Sequence, residues 1–522
     1  MIAKIQQYTI PETCLHLENA LIQAFPLEQQ SPRRLHRLYK DTFDGRLYKK
    51  NYLFWQDTCE SFYDIFLHNF DTGERLQSTA REDVIWPEVI ESSALGRKIQ
   101  AITKIRALMP QISVSVRQHI LHYLGGNEKT QLRLIIEYSQ LMRPDGSIIP
   151  LDKRLWVLPV RGYEKPLKAV TRYLKRVHGL RLSQDNPFLH AMSAAGQALS
   201  CYSNTFQVAL DPEMPTDQAF KHILLNCLEN MEKNETGVIE RVDSEFLHDL
   251  RVSVRRTRAL LSQIPEAFPI KVLNQFEPGF AWVGKITGPL RDLDVYLLKF
   301  DDYQQALPVT EGENLIPLKS FLVRHQKIEQ KKLARRLQSG RYQQLKSAWR
   351  KFLEKKDMKK PPSAVALQTV KRTADEYVWQ AYKKLLKRGQ VISSECPDTK
   401  LHRLRISGKK VRYLLEFFQT LYPSARIQPL MKQLKKLQDV LGDFQDLSVQ
   451  AHALQQFESQ MEEERQLTPE TANAIALLIQ QFDARLEQQR RAFFNQFEAF
   501  SEAALQAEFK ALFHSAEGES AA

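Results

Sequence analysis

One internal repeat constrains the fold of this chain more than any other feature. The segment LHDLRVSVRRTRALL at 247–261 aligns with LHRLRISGKKVRYLL at 401–415, 154 residues later, with eight identical positions. A second pair, Gly288-Pro-Leu-Arg-Asp-Leu and Gly442-Asp-Phe-Gln-Asp-Leu, has the same separation of 154 residues. Two matches at one ungapped separation indicate a tandem duplication of a unit of roughly 150 residues.

The repeated region has the apolar periodicity of helices. Beyond about residue 210 glycine is sparse and apolar residues recur with a period near 3.6. The number of helical patterns and the short connections between them predict an all-α region of two pseudo-symmetric four-helix bundles. We place the first at 213–356 and the second at 362–515, with the break at Lys360-Pro-Pro-Ser.

The first 200 residues have a different pattern. Short β-like runs alternate with turn sequences such as Asp71-Thr-Gly, Gly125-Gly126 and Arg143-Pro-Asp-Gly. Two helical patterns, at 13–24 and 164–177, interrupt these runs. Turns at such intervals are typical of an antiparallel sheet or barrel, so residues 1–200 are predicted to form an α+β domain.

Composition limits the environment and the partners of the chain. The 522 residues carry a formal charge of +13, a surplus that attracts phosphate-rich or acidic molecules. The five cysteines include no Cys-x-x-Cys pair, which argues against a disulfide framework or a zinc site and favours a reducing compartment. The sequence shows neither a signal-peptide pattern nor an apolar run of about 18 residues. We therefore expect a cytoplasmic protein without a membrane partner.

The strongest candidate for a functional surface is a row of cations on each repeated helix. At 100° per residue, the leucines of 247–261 share one buried face, and the cations occupy an adjoining arc. Ordinary solvated faces are the alternative, but these rows contain no acid to balance like charges four residues apart. We define the first basic stripe as His248, Arg251, Arg255 and Arg258, and the second as His402, Arg405, Lys409 and Arg412. Arg256 and Lys410 lie farther round their helices.

The stripes suit an extended polyanion. Ten helical residues rise about 15 Å, and arginine grips phosphate oxygens through its planar fork. Reading bases requires Asn, Gln or stacking aromatics beside the cations, and neither stripe contains them. The sequence therefore favours a phosphate polymer over nucleic acid, which remains an alternative partner.

The repeated helices resemble the CHAD family, named for its conserved-histidine α-helical domain. The resemblance covers about 213–515 and rests on the paired His-x-x-Arg-x-x-x-Arg/Lys helices and the later Gly-x-x-Arg-Asp element. It implies binding of inorganic polyphosphate, often in proteins that associate with polyphosphate granules. The implied binding residues are His248, Arg251, Arg255, Arg256, Arg258, His402, Arg405, Lys409, Lys410 and Arg412. The second copy departs from the pattern by two Arg-to-Lys exchanges and by lacking an arginine at the position of Arg291.

The N-terminal part is similar to the CYTH family, which has a triphosphate tunnel fold. YKDTFDGRLYKKNYLF at 39–54 and RGYEKPLKAVTRYL at 161–174 carry this resemblance. The family's first strand has a Glu-x-Glu-x-Lys motif, whose carboxylates hold a catalytic metal. The corresponding segment of this chain, AKIQQYTIP at 3–11, contains no acid. The resemblance therefore implies a CYTH-like domain without catalytic residues, metal or cofactor, and a triphosphatase or polyphosphatase remains the alternative.

Two acidic features complete the sequence interpretation. Glu137 lies alone on a predicted strand and is expected to be exposed, the alternative being a surviving carboxylate of the tunnel. Asp439, Asp443 and Asp446 have a spacing that could collect a divalent ion, but two of the three equivalent positions in the first copy are Lys285 and Pro289. We interpret Asp446, like its counterpart Asp292, as orienting basic side chains or capping packing contacts.

Overall fold

A computed structural model describes most of the chain. The described residues are 5–58, 62–90, 93–126, 128–143, 145–197, 202–203, 205–355, 363–393 and 395–514. The chain divides into two compact units, residues 1–203 and 204–522. The predicted boundaries at 200, 356, 362 and 515 lie outside the described residues, as do Cys59 and Cys201. The division of the second unit at 356–362 stays a prediction.

The first unit is an antiparallel sheet with four helices, in agreement with the predicted α+β class. Its strands are β1 (Gln6–Ile10), β2 (Leu27–Gln29), β3 (Arg33–Asp41), β4 (Tyr52–Thr58), β5 (Tyr63–Asn69), β6 (Arg75–Ala80), β7 (Met109–Leu124), β8 (Thr130–Met142), β9 (Ile148–Pro150) and β10 (Lys153–Pro159). Its helices are α1 (Leu17–Ala24), α2 (Ala94–Thr103), α3 (Glu164–Val177) and α4 (Pro187–Ala194), with 3-10 turns at Tyr48–Lys50 and Pro87–Ile90. The strand order is β1-β10-β8-β7-β3-β4-β5-β6, with β2 beside β7 and β9 beside β8.

The sheet curls into a half-barrel. Strands β4 and β10 are four positions apart in the sheet, which is about 19 Å in a flat sheet. The rings of Trp55 on β4 and Trp156 on β10 nevertheless lie 6.5 Å apart, so the sheet bends towards the face that carries them. Helices α1 and α3 pack on the opposite face through Leu21 and Val170. Helix α4 packs inside the curl through Phe188 and Met192.

A buried ionic network fills the middle of the curl. Arg37 donates two hydrogen bonds to Asp57, at 2.8 and 3.0 Å, and two to Glu137, at 3.0 and 2.7 Å. Gln118 and the Trp156 indole also donate to Glu137. Burial raises the pKa of Glu137, but the Arg37 guanidinium and these hydrogen bonds outweigh it and lower the pKa to about 2. The expectation that Glu137 is exposed is wrong: its side chain is buried, and its partner Arg37 lies 100 residues earlier in the chain.

The second unit is helical throughout its described secondary structure, as predicted. Its helices are α5 (Thr216–Ile239), α6 (Ser244–Gln263), α7 (Ile270–Ile286), α8 (Gly288–Leu298), α9 (Phe300–Gln305), α10 (Val309–Glu313), α11 (Ile316–Leu337), α12 (Gly340–Leu353), α13 (Ala364–Leu367), α14 (Val370–Gln390), α15 (Asp398–Phe418), α16 (Ser424–Glu463), α17 (Pro469–Phe500) and α18 (Ala503–Phe513). Two 3-10 turns, Pro265–Ala267 and Gln419–Leu421, precede α7 and α16.

The helix boundaries repeat with the separation found in the sequence. Helices α5 and α14, α6 and α15, and α7 and α16 begin 154 residues apart, and so do the two 3-10 turns. One break differs between the copies: α7 and α8 are separated at Thr287, whereas α16 continues through the equivalent position. Pro289 in the first turn of α8 has no N–H to continue the hydrogen bonds of α7, and proline is favoured in a first helical turn.

The two copies are related by an approximate two-fold axis. Pro215 and Thr369, which are equivalent residues, form a β-bridge with each other. Tyr303 donates a hydrogen bond to Gln450 at 3.2 Å. In the reciprocal contact, the rings of Tyr296 and Phe457 lie 5.1 Å apart. Contacts in which one residue meets its equivalent, or pairs recur with the copies exchanged, are typical of a two-fold interface.

A buried ion pair connects α6 to α15. The Nη2 atom of Arg256 lies 3.2 Å from Oε2 of Glu416, and both side chains are about nine-tenths buried. The guanidinium also lies 5.0 Å from the centre of the Phe206 ring. A second cation, Arg412, donates to the other oxygen of Glu416 at 2.6 Å. Glu416 is therefore an acid shared by a cation from each copy.

Replacing Glu416 with alanine should destabilise the helical unit. The change leaves the buried Arg256 charge without its carboxylate, and breaking such a pair costs about 3 kcal/mol. Chemical denaturation followed by far-UV circular dichroism measures the loss. The control is Asp439→Ala, which breaks an exposed pair with Lys435 and should change the free energy of unfolding by less than about 1 kcal/mol. Equal unfolding midpoints for the two variants would contradict the structural role of Glu416.

Candidate anion-binding groove

The start of α6 fixes the orientation of the first basic stripe. Asp243 caps the helix by accepting hydrogen bonds from the backbone of Glu245 and Phe246. From there Leu247, Leu250 and Val254 are each at most 2% exposed. Because these residues form the buried face, the stripe lies along the edge of that face rather than on its far side.

The first stripe contains two kinds of cation. Arg255 and Arg258 are exposed, whereas His248 and Arg251 are half-buried. The Nη1 atom of Arg251 donates to the Gly284 carbonyl at 3.1 Å and to the Thr287 hydroxyl at 2.8 Å. Arg251 thus holds the break between α7 and α8 as well as contributing charge.

Arg256 differs from the other residues assigned to anion binding in the first copy. It is 8% exposed and engaged by Glu416. The structure therefore separates it from the exposed cations and gives it a packing role between the copies. Successive residues of a helix are turned by 100° about its axis. Arg256 therefore points towards the interface, although the preceding residue, Arg255, is exposed to solvent.

The second stripe repeats this arrangement with different partners. His402 Nδ1 lies 2.6 Å from the side-chain oxygen of Gln445, and Arg405 Nη2 lies 3.3 Å from Asp446 Oδ1. The latter contact supports the interpretation that Asp446 orients a basic side chain. Lys409 is half-buried, whereas Lys410 and Arg412 are exposed, and Arg412 is held by Glu416.

The two stripes meet in one groove, which we call the central groove. It has a volume of about 690 Å³ and is lined by Arg255 and Arg258 from α6 and by Lys409 and Lys410 from α15. Glu277 is the one acid among the described residues that line it. Four cations from the two copies therefore surround a space that opens to solvent.

Like charges crowd Lys409 at the centre of the site. Burial, together with the charges of Arg405 and Arg255, lowers the pKa of its ammonium group to about 8. Burial likewise lowers the pKa of Arg251, an effect that Asp292 opposes and Arg255 increases. The positive charges of the empty site repel one another. A bound anion reduces this repulsion, so the electrostatic contribution to anion binding is favourable.

The cations of the groove can bind an anion. Guanidinium and ammonium groups donate to phosphate oxygens. Over the described residues, no group of three or more His, Cys, Asp or Glu side chains could hold a metal ion, and this includes the triplet Asp439, Asp443 and Asp446. Across the same residues, no helix is both long and apolar enough to cross a bilayer.

Sequence reasoning missed some residues of the site. Glu277 and Tyr413 line the central groove; Glu277 belongs to no repeated motif, and Tyr413 stands where the first copy has Ala259. Glu416 holds Arg256 and Arg412, yet the equivalent position in the first copy is Ser262. The sequence feature that could have indicated Glu416 is an acid in the second copy, beside the basic segment, that has no acidic equivalent in the first copy.

Comparisons with known proteins agree with this architecture. Residues 222–455 match the family model described as the CHAD domain. Among solved structures, the CHAD domain from the plant Ricinus communis is similar at 27% identity and a TM-score of 0.46, covering 59% of this chain and 96% of that one. PptA from Streptomyces chartreusis is 16% identical, with a TM-score of 0.44, and covers 55% of this chain and 100% of its own.

The N-terminal unit also has a similar solved structure. It is a putative adenylyl cyclase from Hippeastrum that has a dominant triphosphatase activity, with 14% identity and a TM-score of 0.28, covering 38% of this chain and 99% of that one. No curated protein matches the chain. The family-model match agrees with the resemblance noted in the sequence, because residues 222–455 of the helical unit match the CHAD domain.

Proposed function

We propose that the helical unit binds inorganic polyphosphate in the central groove. The observation that carries this proposal is the convergence of Arg255, Arg258, Lys409 and Lys410 around one open space. Each cation can donate to a non-bridging phosphate oxygen, and the anion relieves the repulsion among the cations. Association with polyphosphate granules in the cytoplasm is part of the same proposal.

A polymer fits the arrangement better than a single phosphate. The first stripe runs from His248 to Arg258, ten residues along α6, which corresponds to about 15 Å of helix. The second stripe has the same length on α15. A chain with one charge or more per unit can contact both stripes, whereas one small anion meets only a few of these cations.

The groove offers little for nucleic-acid bases. Tyr413 is the one aromatic ring among its described lining residues, and single strands are bound by successive stacking platforms. Gln263 also lines the groove, but a lone amide does not make a reading surface for bases. RNA of equal charge is therefore the appropriate competitor in a binding experiment.

Reversing the charge at the centre of the groove should abolish tight binding. We expect the Arg255→Glu, Lys409→Glu double variant to bind polyphosphate about two orders of magnitude or more weakly, since two charge-assisted hydrogen bonds become repulsive contacts. We choose these positions rather than the equivalent pair Arg251 and Arg405. Arg251 also donates hydrogen bonds at the break between α7 and α8, so its replacement could disturb the fold. Titration calorimetry with length-defined polyphosphate measures the effect.

The control for this experiment is a reversal of equal charge elsewhere. Lys331 and Lys351 are exposed on α11 and α12, so the Lys331→Glu, Lys351→Glu variant changes the net charge without touching the groove. Similar losses in the two variants would mean that diffuse charge attracts polyphosphate. The central groove would then not be the site.

Binding should weaken as the pH rises above about 8. The pKa of Lys409 is about 8 in the free protein, and a bound anion favours the charged form and raises it. The complex therefore holds more protons than the free protein, and affinity falls by roughly tenfold between pH 7 and pH 9.5. A Lys409→Arg variant stays charged and should lose this dependence. An identical pH profile in wild type and variant would exclude Lys409 as the titrating group.

The N-terminal unit is not expected to hydrolyse phosphate chains. Arg37 holds both Asp57 and Glu137 in buried ion pairs inside the curl, and α4 packs there as well. No phosphate should therefore be released from tripolyphosphate or nucleoside triphosphates with Mg²⁺ or Mn²⁺. Steady release by the pure protein, lost in a Glu137→Gln variant, would instead establish the alternative function of a triphosphatase.

A further inference from the structure

A second basic pocket lies on the outer side of α15, and we call it the outer pocket. It has a volume of about 350 Å³ between α14 and α15. Its cations are Lys384 and Arg388 from α14 and Arg403 and Lys410 from α15. Its lining includes no acid among the described residues. The basic stripes do not include Lys384, Arg388 or Arg403.

The outer pocket has no counterpart in the first copy. The residues equivalent to Lys384, Arg388 and Arg403 are Asn230, Asn234 and Asp249, 154 positions earlier. Asn234 and Asp249 are buried, at 0% and 1% exposure. The second copy therefore has three cations where the first has two neutral amides and an acid. Duplication alone explains the basic stripes, but it does not explain this pocket.

One cation of the outer pocket is oriented by a neutral partner. The Nη1 atom of Arg388 donates to the Ser407 hydroxyl at 2.6 Å, and that hydroxyl donates to the Arg403 carbonyl at 3.1 Å. Within the described part of the chain, none of the four cations forms an ion pair with an acid. Arg388 is thus held in place by a neutral partner, which leaves its charge available to a ligand.

The outer pocket adjoins the central groove. Ile406 and Lys410 line both spaces. Arg403, Ser407 and Lys410 are spaced at four and three residues, so they lie on one face of α15, beside the face that carries the second stripe. A phosphate chain that leaves the central groove past Lys410 therefore meets Arg403, Arg388 and Lys384 next.

We propose that the outer pocket is a second phosphate subsite, filled only by chains long enough to extend from the central groove. This inference rests on the proposed binding of polyphosphate in that groove. It makes the protein selective for chain length. A short chain occupies the central groove and gains nothing from the outer cations, whereas a long chain contacts both spaces.

The test compares short and long ligands on one variant. Lys384→Asn with Arg403→Asn removes two exposed cations, and the first change introduces the residue of the first copy. Affinity for long-chain polyphosphate should fall about ten- to a hundredfold, while affinity for tripolyphosphate stays unchanged. The slope of log affinity against log salt for the long chain should become shallower by about 2, because two fewer counterions are released. An Arg388→Asn variant should likewise lower the affinity for long-chain polyphosphate more than the affinity for tripolyphosphate.

Controls separate this inference from the proposal on which it rests. The Lys331→Asn, Lys351→Asn variant removes the same charge from exposed positions outside both spaces and should leave both affinities close to wild type. Equal loss for short and long ligands, or no loss for either, would overturn the outer subsite while leaving the central groove intact. A wild-type protein that binds no polyphosphate of any length would overturn both.

Discussion

The packing of α6 against α15 across the approximate two-fold axis is the contact on which the candidate site depends. It brings two rows of like charge together, which is unfavourable by itself. Buried leucines such as Leu250 and Leu404, both at 0% exposure, supply apolar burial that opposes the repulsion. The pair of Arg256 and Glu416 adds an attractive contact between the same helices. The groove is thus a charged space maintained by an apolar and ionic interface beside it.

The architecture of the helical unit could be predicted because its determinants are local. Apolar period, capping residues and the 154-residue separation lie within short stretches of sequence, and the helix starts follow them closely. The role of Arg256 could not be predicted in this way. Its environment is set by Glu416, 160 residues away, and by the aromatic ring of Phe206. The 154-residue separation identifies equivalent positions, but it does not show which of them are buried at the two-fold interface.

In the N-terminal unit, too, local patterns could be predicted from the sequence, whereas contacts between residues far apart in the chain could not. Helix α3 spans Glu164–Val177, close to its predicted range, because its amphipathic pattern is contained within fourteen residues. Glu137 was misjudged, because a single acid on a strand gives no sign of a partner 100 residues earlier. Strand pairing places Asp57 opposite Arg37, and the assembled sheet brings Glu137 of β8 to the same guanidinium. Ionic networks between strands are therefore visible only in the fold.

Divergence between the copies affects the electrostatics at the centre of the groove. Arg255 and Lys409 are equivalent residues, and their charges interact. Arginine cannot lose its proton in a protein, whereas a lysine surrounded by low dielectric and by cations can. Two arginines at these positions would impose a permanent repulsion on the empty groove. With lysine at the more buried of the two, part of that charge is lost as the pH approaches about 8, and an incoming anion restores it. The Arg-to-Lys exchange thus lowers the electrostatic cost of the empty site without removing a cation from the occupied one.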